Sequence, residues 1–320
     1  MGTMKAVQIS KRNGPLELVE RSIPEPGRGQ VRLRVEACGV CHGEVVALEG
    51  HHPHMQYPRI PGHEVIGVID QIGADVDGWK LGERVGVGWN GGRDETTGLT
   101  IDGGYAQYMV AYADGVARIP EGLSAVDAAP LMCAGVTTFG ALKHSSARAG
   151  DLVVIQGIGG LGHLAIQYAR KAGFHTVAVS RGRDKEELAL KLGAHRYIDA
   201  QSEDAAKVLR EMGGAKLILA TAPNGQAIAD LFNGLGANGE MVVVAGSGDA
   251  MPLSPVQLLN GRRSIRGWTA GQAKDSEDTI SFSVLTDVRP MIETFPLEQA
   301  NEAFERMMSS KVRFRAVLTM

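Results

Sequence analysis

Hydrophobic and polar positions follow two rhythms along this chain, and the change between them divides it. From residue 4 to residue 110, short stretches rich in β-branched or alternating apolar residues are set off by Gly and Pro. They predict strands at 4–9, 31–38, 65–72, 84–87 and 104–110. Antiparallel sheet with long loops is the expected result. After Cys133 the texture becomes apolar run, amphipathic stretch, apolar run. Strands are expected at 152–156, 176–180, 197–199, 217–221, 241–245 and 264–268, with apolar residues at helical spacing over 161–172 and 185–192. Alternation of this kind predicts right-handed crossovers and a doubly wound parallel sheet. From residue 269 the pattern loosens, then closes with a helix at 297–308 and a strand at 314–319. We assign that tail to the first domain. The expected division is 1–134 with 269–320, and 135–268.

Composition narrows the class. With 320 residues, 44% hydrophobic and 22% charged, and 42 glycines, the chain has the make-up of a turn-rich globular α/β protein large enough for two cores. A net charge of −3 gives no electrostatic case for nucleic acid or an anionic membrane. No apolar run approaches the roughly 20 residues needed to span a bilayer. The start, Met1 to Lys5, lacks a signal-peptide core, and Met4 reads as the natural start behind a cloning remnant. Three cysteines make no disulfide framework, so a reducing cytoplasm is the expected setting.

The candidate chemistry sits on both sides of the change in rhythm. Cys41, His63 and Cys133 match the three N or S ligands of a catalytic zinc, which leaves a fourth position open. Taken singly, Cys38 and Cys41 are also a possible redox dithiol, His63 a structural histidine and Cys133 an inert core thiol. Gly157, Gly159 and Gly162, with Gly160 and Leu161 between them, form G-x-G-x-x-G between a predicted strand and a predicted helix. That turn brings backbone close to a pyrophosphate at a helix N-terminus. The next strand ends at Ser180, where sites for NAD place an acid; Arg181 and Arg183 follow instead. Their forked donors suit a ribose 2′-phosphate, which favours NADP, the alternative being Asp184 on the ribose of NAD.

The strings at 37–42, 62–64, 103–106 and 133–138, in that order, resemble the zinc-containing alcohol dehydrogenases of the medium-chain dehydrogenase/reductase family. The resemblance covers nearly the whole chain. It implies a GroES-like, mainly antiparallel catalytic domain beside a Rossmann coenzyme domain. It also implies one catalytic zinc per chain on Cys41, His63 and Cys133, with Cys38 left out. Glu64 becomes the acidic neighbour that tunes or exchanges with the ligands, and Glu44 orients His63. Thr137 is expected at the nicotinamide, and His42 and Arg315 at the pyrophosphate, with Arg313 a competing candidate. Val244 lies in a segment lining the coenzyme. Trp89, Leu48 and His51 are the candidate substrate pocket.

The activity implied is hydride transfer between a primary alcohol, or its aldehyde, and NAD(P), with zinc polarising the oxygen. A homo-oligomer, dimer or tetramer, is expected. Two alternatives come from different classes: a zinc-free quinone or enone reductase of the same fold, and a non-catalytic or engineered coenzyme-binding scaffold. The chain also departs from the family. The stretch 91–98 has no cysteine, so the usual four-thiolate structural zinc lobe is absent. Gly43 and Val46 stand where a hydroxyl and a histidine usually carry the alcohol proton, which predicts proton exchange through water.

Overall fold

The computed structural model describes residues 2–320, which divide into two compact units. The first holds the chain up to Val136 together with Ala270–Met320, and the second is Thr137–Thr269. In the first unit the strands are β1 (Thr3–Ile9), β2 (Leu16–Ser22), β3 (Gln30–Val40), β4 (Val65–Ile72), β5 (Arg84–Val87), β6 (Tyr108–Tyr112) and β7 (Val116–Arg118). The second contributes β8 (Leu152–Gln156), β9 (His175–Ser180), β10 (Arg196–Asp199), β11 (Ala215–Ala220), β12 (Leu235–Val243) and β13 (Ser264–Gly267). The tail adds β14 (Ile292–Pro296) and β15 (Arg315–Thr319) to the first unit.

β1 and β2 form a hairpin sheet of their own. The large sheet of the first unit runs β14-β15-β3-β4-β5-β7, with β6 also on β3. Its pairings are antiparallel except β14 with β15. Val31, Leu33, Val35, Val65, Ile69, Val85 and Val87 turn inward from alternate strand positions and form one apolar core with Ala316 and Leu318 of the tail. The second unit is the expected parallel sheet, in the order β10-β9-β8-β11-β12-β13. Its central strands are buried on both faces, which is why they read as unbroken apolar runs. Strand order reverses between β8 and β11, the position where open α/β sheets bind ligands beyond their C-terminal strand ends.

Elements that sequence periodicity left out are β2, β7, β14 and the helices Glu44–Leu48, Ala125–Ala128, Ala134–Lys143, Ala205–Glu211, Gly225–Phe232, Pro255–Leu259 and Ala273–Thr286. The strand expected at 104–110 forms at Tyr108–Tyr112, because Tyr105 and Ala106 bond singly to β1 rather than join β3. Among the described residues no single helix is long and apolar enough to cross a membrane.

Candidate metal centre and coenzyme turn

Four side chains converge at one end of the antiparallel sheet. β3 ends at Val40 and delivers Cys41; the turn before β4 delivers His63 and Glu64; Cys133 sits in the break between a short 3-10 turn and the helix Ala134–Lys143. Their ligand atoms all lie within 4.8 Å of one another, the two sulfurs 3.9 Å apart. Glu44, in the first turn of the helix Glu44–Leu48, holds two of them in place. Its Oε1 lies 2.9 Å from His63 Nδ1, and its Oε2 accepts the Cys41 N–H at 2.6 Å. With Nδ1 turned to the Glu44 carboxylate, Nε2 is the ring atom left to the cluster, buried and with no hydrogen-bond partner, and it offers a lone pair in the neutral imidazole that a metal would bind.

The second acid is held from the other side. Glu64 is fully buried, and its Oε1 accepts a hydrogen bond from Arg315 Nη2, while its Oε2 has no partner. Arg315 was expected at a pyrophosphate; the structure places its guanidinium in this cluster, 6% exposed, at the start of β15. Arg313 is exposed, and its N–H is bonded to Glu293. Burial works against the charge of Arg315, and Glu64 with the two thiols more than restores it.

The same contacts govern the thiols. Its hydrogen bond with Cys133, helped against burial by His63 and Arg315, draws the Cys41 thiol well below its ordinary range. That bond and burial push Cys133 up. Burial opposes the charged form of His63, yet Glu44 and Cys41 hold its pKa well above the usual histidine range. Cys38 is also fully buried, and burial raises its thiol pKa. Two thiols, an orphaned imidazole nitrogen and an orphaned carboxylate oxygen make a donor set suited to zinc.

Trp89 packs edge-on against His63, with ring centroids 4.8 Å apart at 82°. This contact bears on the missing hydroxyl at position 43. A Cβ there would lie 2.8 Å from His63 Cε1 and 3.1 Å from Trp89 Cζ3, so only glycine leaves both rings where they are. Leu48 and Trp89, the two apolar candidates for the substrate pocket, are both partly buried and pack against the apolar core of the unit. His51 is exposed and pairs with Glu49 at 3.3 Å. His42 is exposed next to Cys41.

In the second unit the glycine-rich turn leaves β8 and opens the helix Gly162–Lys171. A side chain at Gly162 would start 1.9 Å from the Gly157 carbonyl, so that glycine is what lets helix and strand meet. At Gly159 the same position meets nothing within 4 Å, leaving backbone open to a ligand. Thr221, at the end of β11, pins the turn by donating to the Gln156 carbonyl at 2.8 Å. Val244 follows β12 and donates its N–H to the Ala220 carbonyl at 3.1 Å. Thr137 is buried. Ser180 closes β9, and Arg181 and Arg183 beyond it are exposed. Periodicity had absorbed Lys185 into a helix; its ammonium instead reaches back 2.8 Å to the Ile158 carbonyl inside the glycine-rich turn. A lysine five residues past the strand end was the available signal.

Comparison with known proteins agrees with this anatomy. Residues 27–121 match the family described as alcohol dehydrogenase GroES-like domain, and residues 160–284 match zinc-binding dehydrogenase. An alcohol dehydrogenase of Penicillium expansum is 41% identical, over 99% of this chain and 98% of its own length. The chain belongs to the medium-chain alcohol dehydrogenase family. Among solved dehydrogenases of this type, a cinnamyl alcohol dehydrogenase from Sorghum bicolor superposes with a TM-score of 0.87 at 28% identity, covering 99% of this chain and 98% of its own. A Helicobacter pylori enzyme solved with NADP(H) gives 0.86 at 25%, over 99% and 98%. Membership makes the chain an oxidoreductase of the dehydrogenase class, with its antiparallel and parallel sheets in the family's roles.

Proposed function

We propose that this dehydrogenase uses one zinc ion and a nicotinamide coenzyme to interconvert a primary alcohol and its aldehyde. The observation that carries the reading is the buried, partnerless His63 Nε2 converging with two thiols and a partnerless Glu64 oxygen. Cys41, His63 and Cys133 would hold the metal, with Glu64 as the exchangeable fourth group. Bound there, zinc supplies Lewis acidity to the alcohol or carbonyl oxygen.

The chain's own residues do the rest. Glu44 fixes the tautomer and rotation of His63 and, through the Cys41 N–H, the loop that carries the thiol. Arg315 supplies the cation that lets Glu64 stay buried among thiols, and it holds one carboxylate oxygen away from the donors. Trp89 walls the His63 side of the centre with an apolar ring. Position 43 has no hydroxyl and position 46 no imidazole, so the alcohol proton leaves through water.

The glycine-rich turn and the N-terminus of the helix Gly162–Lys171 would cradle the pyrophosphate, with Thr137 and His42 as further contacts. Arg181 and Arg183, with no acid at Ser180, favour NADP(H) over NAD(H). A homo-oligomer and a cytoplasmic setting belong to the same proposal. The test is oxidation of benzyl alcohol with NADP+ and with NAD+, with and without a chelator, on wild type and on Cys41→Ala and Cys133→Ala. Turnover that needs metal and is lost in both variants is expected. Full turnover in metal-free protein would sink the reading.

A further inference from the structure

The loop leaving β9 carries Arg181 and Arg183, and the residue between them is held by both of its backbone groups. Gly182, at φ 73°, donates its N–H to Asp199 Oδ1 at 2.7 Å, and its carbonyl accepts the Tyr197 hydroxyl. Tyr197 and Asp199 belong to β10, whose parallel register sets Asp199 beside Ser180 at the point where the loop departs. The Asp199 carboxylate is fixed in turn: Oδ1 also accepts the Gln201 N–H and Oδ2 the Ser202 hydroxyl, each at 2.9 Å. Both anchors are buried. The Gln201 N–H, with Ser202, Gly182 and the nearby Arg183, holds the Asp199 carboxyl below its ordinary range against some desolvation. Beyond the arginines, Lys185 ties the loop to the Ile158 carbonyl. The backbone is therefore held at its middle and at its far end by contacts within the chain itself.

Forked guanidinium contacts to a phosphate depend on geometry, and a loop that must order on binding subtracts that cost from affinity. The cost falls on the ligand that uses the loop most. We propose that Asp199, together with Tyr197, is a positioning residue for coenzyme discrimination: it fixes the backbone from which Arg181 and Arg183 read the 2′ position of the ribose, without touching the coenzyme. The inference rests on the reading of those arginines as 2′-phosphate partners.

The test compares Asp199→Ala, Asp199→Asn and Tyr197→Phe with wild type, reading the Kd of NADPH and of NADH by fluorescence, and KM and kcat for both oxidised forms. Asp199→Ala is expected to weaken NADPH about tenfold, the scale of ordering two long side chains, and NADH much less, with kcat preserved. Asp199→Asn keeps the Oδ1 acceptor and should recover most of the loss, whereas a role for the charge alone would leave it as weak as alanine. Tyr197→Phe removes one hydroxyl from a retained ring, should shift the ratio the same way, and carries the test if the alanine variant does not fold. Wild type that discriminates, with variants that weaken both coenzymes equally or neither, would overturn this inference alone. Wild type that binds both alike would overturn the reading of the arginines and this inference with it.

Discussion

Around the proposed metal centre, single residues have roles that separate cleanly under mutation. Glu44 is buried, lies 2.9 Å from His63 Nδ1 and accepts the Cys41 N–H. Glu44→Ala should lower zinc affinity about 10- to 100-fold, the usual scale for removing a ligand's supporting carboxylate, as read by chelator competition. Unchanged affinity would mean that His63 is fixed by other contacts. Gly43→Ser gives a different expectation from the one the family's relay suggests. Its Cβ would fall 2.8 Å from the His63 ring, so the variant should bind zinc less tightly and gain no rate. A large gain in turnover would show instead that a hydroxyl relay is missing and can be restored. The cluster of Cys41, His63, Glu64 and Cys133 was legible in sequence because each stands in a distinctive local string. The place of Arg315 was not: nothing local predicts that a residue 251 positions away will bond Glu64 inside the protein.

Secondary elements show where periodicity carries information and where it fails. Buried parallel strands such as β8 and β11 are continuous apolar runs and were read at or near their true bounds. The helix Ala273–Thr286 was missed because three of its four buried residues, Ser276, Thr279 and Ser283, are polar, which leaves no apolar stripe to detect. Thr279 and Ser283 instead bond back to carbonyls one turn earlier. β2 was missed because it lacks a clean apolar alternation: after Leu16 its half-buried positions include the charged Glu17 and Arg21, while Leu18 faces solvent.

Element junctions also carry a pH-dependent contribution to stability. Glu240 of β12 accepts the Ser146 N–H and the Arg266 guanidinium of β13, the latter at 3.1 Å. Burial opposes its charge, but Ser146 and Arg266 win and hold its carboxyl below the usual range. The ionised form is therefore stabilised by folding. Its contribution is full above the ordinary glutamate pKa and is lost as pH falls through the lower folded value. Glu240→Gln should cost about 1–3 kcal/mol near neutrality in denaturant titrations, and the difference should shrink in acid. A cost independent of pH would show that packing, and not charge, holds this junction.

At the scale of the whole molecule, one unit carries the proposed metal donors and the other the glycine-rich turn proposed for the coenzyme. Family membership joins them into a dehydrogenase. The fold class followed from the change of rhythm near Cys133, because strand and helix periods are set by backbone geometry. The stretch 91–98, without cysteine, folds as a tight polar loop: Asn90 bridges Thr96, and Thr97 bridges Ile101. A second zinc per chain is therefore not expected, which makes stoichiometry decisive. The most direct test is the zinc content of the purified protein, measured alongside benzyl alcohol oxidation before and after chelation and zinc return. One zinc per chain is expected, with turnover lost as that zinc leaves and recovered when it is restored. Two zinc ions per chain, or full turnover with none, would contradict this.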